Sequence, residues 1–134
     1  MDAVNIKNKI DYWLDIAHYD LITAKAVLEK KRFLYVGFLC HQTAEKCLKA
    51  YFWHTQKQEP PHTHNLILLS KQSEFDICSE EKYLELFKEL MPLNIQARYP
   101  EDKELLLKSL NAAKCRQLLK ETTKLYAWIK KSLQ

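Results

Sequence analysis

Glycine is almost absent from this chain, with one residue in 134, and proline occurs only four times. Loops that cradle phosphate groups need several glycines, because the ligand must approach the backbone N–H groups closely. The sequence has no P-loop, no dinucleotide-binding glycine fingerprint, no His-Glu-x-x-His and no nucleophile elbow. Any anion site must therefore use side chains and helix N-termini. The same shortage leaves little material for tight turns and favours helices joined by a few loops.

Long hydrophobic runs are also missing. No apolar stretch approaches the roughly 20 residues that a membrane-spanning helix needs. Residues 1–5 have neither the basic start nor the apolar stretch of a signal peptide. We therefore expect a cytoplasmic protein with no membrane contact.

Cysteine pairs of the C-x-x-C type are absent, so we do not expect a zinc knuckle. The four cysteines, Cys40, Cys47, Cys78 and Cys115, are expected to be reduced thiols that fill the core. His62 and His64 form a His-x-His pair, but no third ligand is indicated nearby. The sequence predicts no metal and no cofactor.

A strong charge imbalance is missing too, since the formal net charge is +4. Such a charge does not by itself imply nucleic-acid binding. Residues 103–134 nevertheless hold eight Lys or Arg against two Glu. These cations form either a solvated helix face or a shallow basic surface for a phosphate-bearing ligand.

Apolar residues at three- and four-residue steps predict long helices. We expect helices over residues 4–30 and 34–58, with Pro60-Pro61 ending the second. Thr63 is the predicted N-cap of a third helix over 64–71, followed by a loop over 73–79. Ser79 should cap a fourth helix that runs to residue 90 and is stopped by Pro92.

Residues 93–102 read as irregular, because proline at 100 biases its predecessor away from helical geometry. A long last helix should start near Pro100 and run to about Leu133. The pattern predicts one all-α domain over 1–134, an antiparallel bundle of four to five helices.

The second predicted helix carries a polar strip beside its apolar stripe. Its members are Gln42, Glu45, Lys46 and Lys49, with His41 on the same face as Glu45. One interpretation is a set of helix-stabilising pairs, each worth about 0.2–0.5 kcal/mol. The other is a strip bordering a groove, where Glu45 and Lys49 orient a nucleotide or a partner's side chain. His64 is expected to close the start of the third helix or to pack against the second.

Arg98-Tyr99-Pro100 is the second polar feature. An arginine in an irregular segment can grip phosphate or carboxylate through two parallel hydrogen bonds. It can equally fasten the segment through backbone carbonyls or a carboxylate such as Glu45 or Asp20. Tyr99 either stacks on a base or plugs the end of the bundle.

Several separate motifs, in this order, resemble those of the HEPN domain family. They are Trp13, Asp20-Leu21, Gln42, Ala44-Glu45-Lys46, Leu48-Lys49-Ala50, Thr63-His64-Asn65-Leu66 and Arg98-Tyr99-Pro100. The resemblance implies an antiparallel up-and-down bundle similar to the C-terminal domain of kanamycin nucleotidyltransferase. It also implies a homodimer, and pairing with a minimal nucleotidyltransferase in a two-component, toxin–antitoxin-like system. The aromatic residues that a bundle of this size must cover, including Trp53, Tyr126 and Trp128, add to the expectation of a homodimer.

The resemblance leaves two functions open. Many HEPN proteins are metal-independent endoribonucleases with a histidine four to six residues after an arginine. Here Asp102, Lys103 and Glu104 stand where that histidine would be. The first hypothesis is therefore a non-catalytic module that binds a nucleotide, RNA or a nucleotidyltransferase partner through the residues of the two polar features. These are Gln42, Glu45, Lys46, Lys49, His64, Arg98 and Tyr99. The alternative is an endoribonuclease toxin with a divergent active site.

Overall fold

Helices account for most of the described residues in the computed structural model. The structure describes residues 2–78 and 81–134, with the backbone alone at 78, 81 and 82. Its helices are α1 (Ala3–Glu29), α2 (Phe33–Gln56), α3 (Leu66–Gln72), α4 (Phe75–Cys78), α5 (Glu81–Gln96), α6 (Lys103–Ser109) and α7 (Ala112–Ser132). The predicted all-α bundle is confirmed. The described residues form seven helices and not four or five, because α4 lies in the predicted loop and the predicted last helix is divided into α6 and α7. No helix within these described ranges is long and apolar enough to cross a membrane.

The second helix lies at the centre of the bundle. It packs against α1, α5 and α7, and thirteen of its residues are buried. Such a helix must be apolar around most of its circumference, which is the pattern that its sequence shows. The pairs Asp20–Lys46 and Trp13–Lys49 show that α1 runs antiparallel to α2.

The ends of the first two helices agree with the sequence to within two residues. Asp2 caps α1, since its side chain accepts a hydrogen bond from the Asn5 backbone N–H at 2.9 Å. α2 ends when Lys57 adopts the left-handed region, with φ 57°. The helix therefore stops before the proline pair that was expected to end it.

Three predictions in the middle of the chain need correction. Asn65, not Thr63, caps α3, because its side-chain oxygen accepts from the Leu68 N–H at 3.0 Å. The predicted loop over 73–79 contains α4, whose Phe75 is fully buried among aromatic rings. Ser79, the predicted cap of the next helix, lies outside the described residues.

Pro92 does not end a helix, contrary to the prediction. α5 continues through it to Gln96, so residues 93–96 are helical and not irregular. A proline inside a helix costs about 3 kcal/mol, which packing must offset. Leu93 and Asn94 supply that packing, because both are buried on the far side of the proline.

Gly37, the sole glycine of the chain, permits this contact. A Cβ atom at this position would lie 2.6 Å from Leu93 Cδ1 and 3.2 Å from Leu93 Cβ. Only a residue without a side chain allows α5 to approach α2 so closely. The end of α5, which carries Asn94 and leads to Arg98, is thereby fixed beside α2.

The predicted long last helix is broken into α6 and α7. Leu110 is buried at the break, and Asn111 then caps α7 by accepting from the Lys114 N–H at 2.9 Å. Two of the aromatic residues on which the homodimer prediction rests pack within the chain. Trp53 is 4% exposed, and Trp128 packs edge-on against Phe75 with ring centroids 5.3 Å apart. Trp53 therefore needs no second chain to cover it, and the homodimer stays a prediction.

Candidate functional site

The carboxylate of Glu45 is the centre of a polar cluster on α2. Glu45 is buried, with 4% of its surface exposed. Its Oε2 accepts a hydrogen bond from Lys49 Nζ at 3.1 Å, and its Oε1 accepts one from His64 Nδ1 at 2.7 Å. A buried carboxylate needs such partners, because removing its water shell costs free energy.

His64 is held from two directions. Its ring is oriented by Glu45, and its backbone carbonyl accepts from His41 Nε2 at 3.0 Å. Because the Glu45 carboxylate accepts, His64 Nδ1 carries the proton and Nε2 is the other ring nitrogen. The His64 side chain is 65% exposed, so the structure presents an oriented imidazole to solvent.

His41 is fully buried and serves as a support. Burial lowers its pKa below the usual value of 6.5, and the nearby charge of Glu45 opposes that shift. The ring is therefore neutral at pH 7, with its proton on the Nε2 that donates to His64. Its Nδ1 has no hydrogen-bond partner among the described residues.

Two further contacts extend the cluster along α2. Lys46 Nζ forms an ion pair with Asp20 of α1. Gln42 Nε2 donates to Asn94 Oδ1 of α5 at 3.1 Å. Gln42, Glu45, Lys46 and Lys49 lie within about 100° of the helix circumference, so they share one face.

Arg98 continues the same line of polar groups. Its Nε donates to the Asn94 backbone carbonyl at 3.0 Å. The guanidinium carbon lies 5.5 Å from the Phe38 ring centroid and 5.9 Å from that of Tyr99. Its charge also acts on buried His41, where it helps to lower the pKa. Arg98 is fastened through a backbone carbonyl, as one sequence interpretation had it, and not through Glu45 or Asp20.

We call these three neighbouring groups of polar contacts the polar seam. It consists of Gln42, Glu45, Lys46 and Lys49 of α2 together with Asp20, His64, Asn94 and Arg98. Six of the seven residues singled out from the sequence are in it. The seventh, Tyr99, lies beside Arg98 and is 73% exposed, so it neither plugs the bundle nor joins these hydrogen bonds.

Sequence analysis missed two participants. Asn94 was hidden by the incorrect stop at Pro92, which placed it in an irregular segment. His41 was noticed as a neighbour of Glu45, but not as the donor to the His64 carbonyl. The sequence did contain a signal for this role. His41 lies one turn from Glu45 on a helix that is apolar around most of its circumference, so a buried position was to be expected.

The cysteines of the described chain are not part of the seam. Cys40, Cys47 and Cys115 are buried free thiols. Burial raises the pKa of Cys40 to about 12 and that of Cys115 to about 11, which makes them poor nucleophiles. The side chain of Cys78 lies outside the described part. Where the structure describes side chains, no group of three His, Cys, Asp or Glu is arranged to hold a metal ion.

The basic end of the chain forms a second surface, away from the seam residues. Lys25 of α1 and Arg116, Lys120 and Lys124 of α7 line a shallow groove of about 330 Å³ with an apolar floor that includes Leu119. Both interpretations of this segment, solvated face and phosphate-binding surface, are compatible with that arrangement.

Comparisons with known proteins agree with the bundle and its motifs. A model of the HEPN domain family matches residues 10–132. The crystal structure of TT1696 from Thermus thermophilus is similar to this structure with a TM-score of 0.81. The two sequences are 22% identical, and the matched region covers 94% of this chain and 99% of the other. At this identity it supports the fold alone. No curated protein gives a significant match.

Glu45→Ala should destabilise the protein by about 1–3 kcal/mol, because it leaves the largely buried ammonium of Lys49 and the His64 ring without their acceptor. Chemical denaturation with urea measures the change. Glu29→Ala is the control, since Glu29 is exposed at the end of α1 and its loss should stay within about 0.5 kcal/mol. Equal free energies of unfolding for the two variants would show that the contacts of Glu45 do not stabilise the fold.

Proposed function

The chain belongs to the HEPN domain family, and we propose that it is a non-catalytic member that binds a nucleotide, a minimal nucleotidyltransferase protein, or both. The polar seam is the proposed binding site. Its oriented side chains are fixed by mutual hydrogen bonds before a ligand arrives, which lowers the entropic cost of binding.

The guanidinium of Arg98 carries this proposal. Within the described chain only its Nε makes a hydrogen bond, so the two terminal nitrogens remain free to donate to a ligand. The ring faces of Phe38 and Tyr99 and the bond to Asn94 limit its motion. A guanidinium with two parallel donors matches the oxygens of a phosphate group.

A protein partner would be recognised beside the same residues. The His64 ring, an exposed aromatic group beside the charged side chains of the seam, is the proposed contact. A gene for a minimal nucleotidyltransferase beside this one would support the pairing. A cytoplasmic location belongs to the proposal, and the three free thiols support it.

Ribonuclease activity is the second candidate function, and one observation favours it. His64 supplies an exposed imidazole whose Nδ1 is bound to a carboxylate, although no histidine follows Arg98 at the family's spacing. Such a pairing fixes the tautomer and leaves Nε2 available for proton transfer. Buried His41 donates to the His64 carbonyl, and the charge of Arg98 helps to lower the pKa of His41. His64 and Arg98 therefore both lie near His41.

A homodimer also belongs to the proposal, on grounds different from those that the sequence suggested. Ile95, Tyr99 and Leu105 are exposed apolar or aromatic residues that line one cavity of about 470 Å³ between the end of α5 and α6. Clustered exposed residues of this kind mark interaction surfaces more often than scattered ones do. We propose that a second copy of the chain covers this surface.

Arg98→Ala should weaken ATP binding by about 1.5–3 kcal/mol, the contribution of a hydrogen bond to a charged group. Isothermal titration calorimetry at fixed ionic strength measures it. Arg116→Ala is the matched variant, because Arg116 is exposed and lines the other basic groove. A loss confined to Arg116→Ala would move the phosphate site to that groove and refute the role of the seam.

The isolated protein should cleave mixed RNA little or not at all in the presence of EDTA. Proton transfer by a positioned group contributes about 10²–10⁴-fold to a rate, and the sequence lacks the histidine that supplies it in related enzymes. Wild type, Arg98→Ala and His64→Asn are compared by gel assay. Robust wild-type cleavage that disappears in both variants would establish the ribonuclease alternative and refute the non-catalytic one.

Sedimentation at micromolar concentration should give a species of twice the 15.9 kDa chain mass. Leu105→Glu should dissociate it, because the change buries an unpaired carboxylate in the proposed interface. Ile22→Glu places the same charge on another exposed apolar residue and should leave the dimer intact. A wild type that sediments only near the 15.9 kDa monomer mass would rule out the homodimer.

A further inference from the structure

An aromatic cleft opens beside the polar seam, at its end furthest from Arg98. The cleft lies between the first half of α1, the end of α2 and the segment that follows α2, and its volume is about 130 Å³. Its apolar lining consists of Tyr12, Trp13, Trp53, Pro60 and Pro61. Trp53 and Pro60 are buried, whereas Tyr12 is 59% exposed at the mouth. The cleft is therefore a small space with flat, rigid walls.

Lys49 joins the cleft to the seam. Its Nζ donates to Glu45 at 3.1 Å and also lies 5.2 Å from the centroid of the Trp13 ring. Glu45 in turn holds the imidazole of His64 on its other oxygen. A ligand in the cleft would thus be in contact with the same hydrogen-bonded network that fixes His64.

Two lysines and one acidic residue supply the charges around the cleft. These are Lys9, Lys49 and Glu59, and the Glu59 carboxylate lies 3.5 Å from His62 Nε2. A plain hydrocarbon group would make no use of these cations. A ring that is attached to a negatively charged chain would use both the walls and the charges.

We propose that this cleft holds the base of the nucleotide, an inference that rests on nucleotide binding by the polar seam. Aromatic side chains accept bases of any sequence because every base has a π-face, and stacking contributes to affinity without reading hydrogen bonds. Pockets for whole drug-sized ligands have about 300–1,000 Å³. A space of 130 Å³ therefore takes one ring system while the sugar and phosphates lie outside, along the seam.

The length of the seam narrows the ligand class. Phe38, which packs against Arg98, and Lys49 are eleven residues apart on α2, a distance of about 16 Å at 1.5 Å per residue. A base in the cleft and a phosphate at Arg98 must be joined by a chain longer than one phosphate. A nucleoside triphosphate has such a chain, and its charge suits the cations at both ends.

ATP and inorganic tripolyphosphate, which lacks the base, test this placement by calorimetry at one ionic strength. Tyr12→Ala removes an exposed wall of the cleft and should weaken ATP binding by about 5- to 150-fold, with tripolyphosphate binding unchanged. Tyr19→Ala is the matched control, because Tyr19 is exposed two turns further along the same helix and is not part of the cleft. It should change neither ligand.

The outcomes separate this inference from the function on which it rests. If Tyr12→Ala leaves ATP binding unchanged, or weakens both ligands equally, the cleft is not the base site, while binding that depends on Arg98 still stands. If wild type binds neither ligand, both are refuted. Thermal melting checks that each variant is folded.

Discussion

The buried carboxylate of Glu45 is the constraint on which the site depends. An ionised group in the interior of a bundle must be hydrogen-bonded on both oxygens, or its desolvation would destabilise the fold. Lys49 satisfies one oxygen from the same helix, and His64 satisfies the other from the segment before α3. The helix and the segment are thereby fixed to each other. His41 adds a hydrogen bond to the carbonyl of His64, so the segment is held by both side chain and backbone.

A second constraint brings Arg98 to the same place. α5 contacts α2 where Gly37 offers no side chain, and Leu93 fills the space. The next residue, Asn94, then reaches Gln42 with its side chain and Arg98 with its backbone carbonyl. A proline within α5 is tolerated because burial on both sides of it offsets the lost hydrogen bond. One close helix contact thus positions the cation that we propose for phosphate binding.

The seam has different chemistry at its two ends. Arg98 provides free donors beside two aromatic rings, whereas Lys49 borders a cleft of tryptophan and proline. His64, from the segment before α3, contacts the polar face of α2 at Glu45, and its side chain is 65% exposed. Membership of the HEPN family fixes the bundle but does not choose between binding and catalysis, since related folds carry different sites. That choice depends on whether the His64 imidazole and the Arg98 guanidinium act on the same phosphate.

The amino-acid sequence by itself determined the helical class and the extents of α1 and α2 to within two residues. It also singled out seven of the eight seam residues, six as candidate site residues and Asp20 within the Asp20-Leu21 motif. Helical periodicity is a local property, so it can be read without the rest of the chain. The tertiary structure alone decided that α5 passes through Pro92 and that Trp53 is covered within the chain. It also brought Asn94 and His41 into the site and formed the Trp13 cleft. These features depend on contacts between residues distant in sequence, whose packing energy overrides local preference.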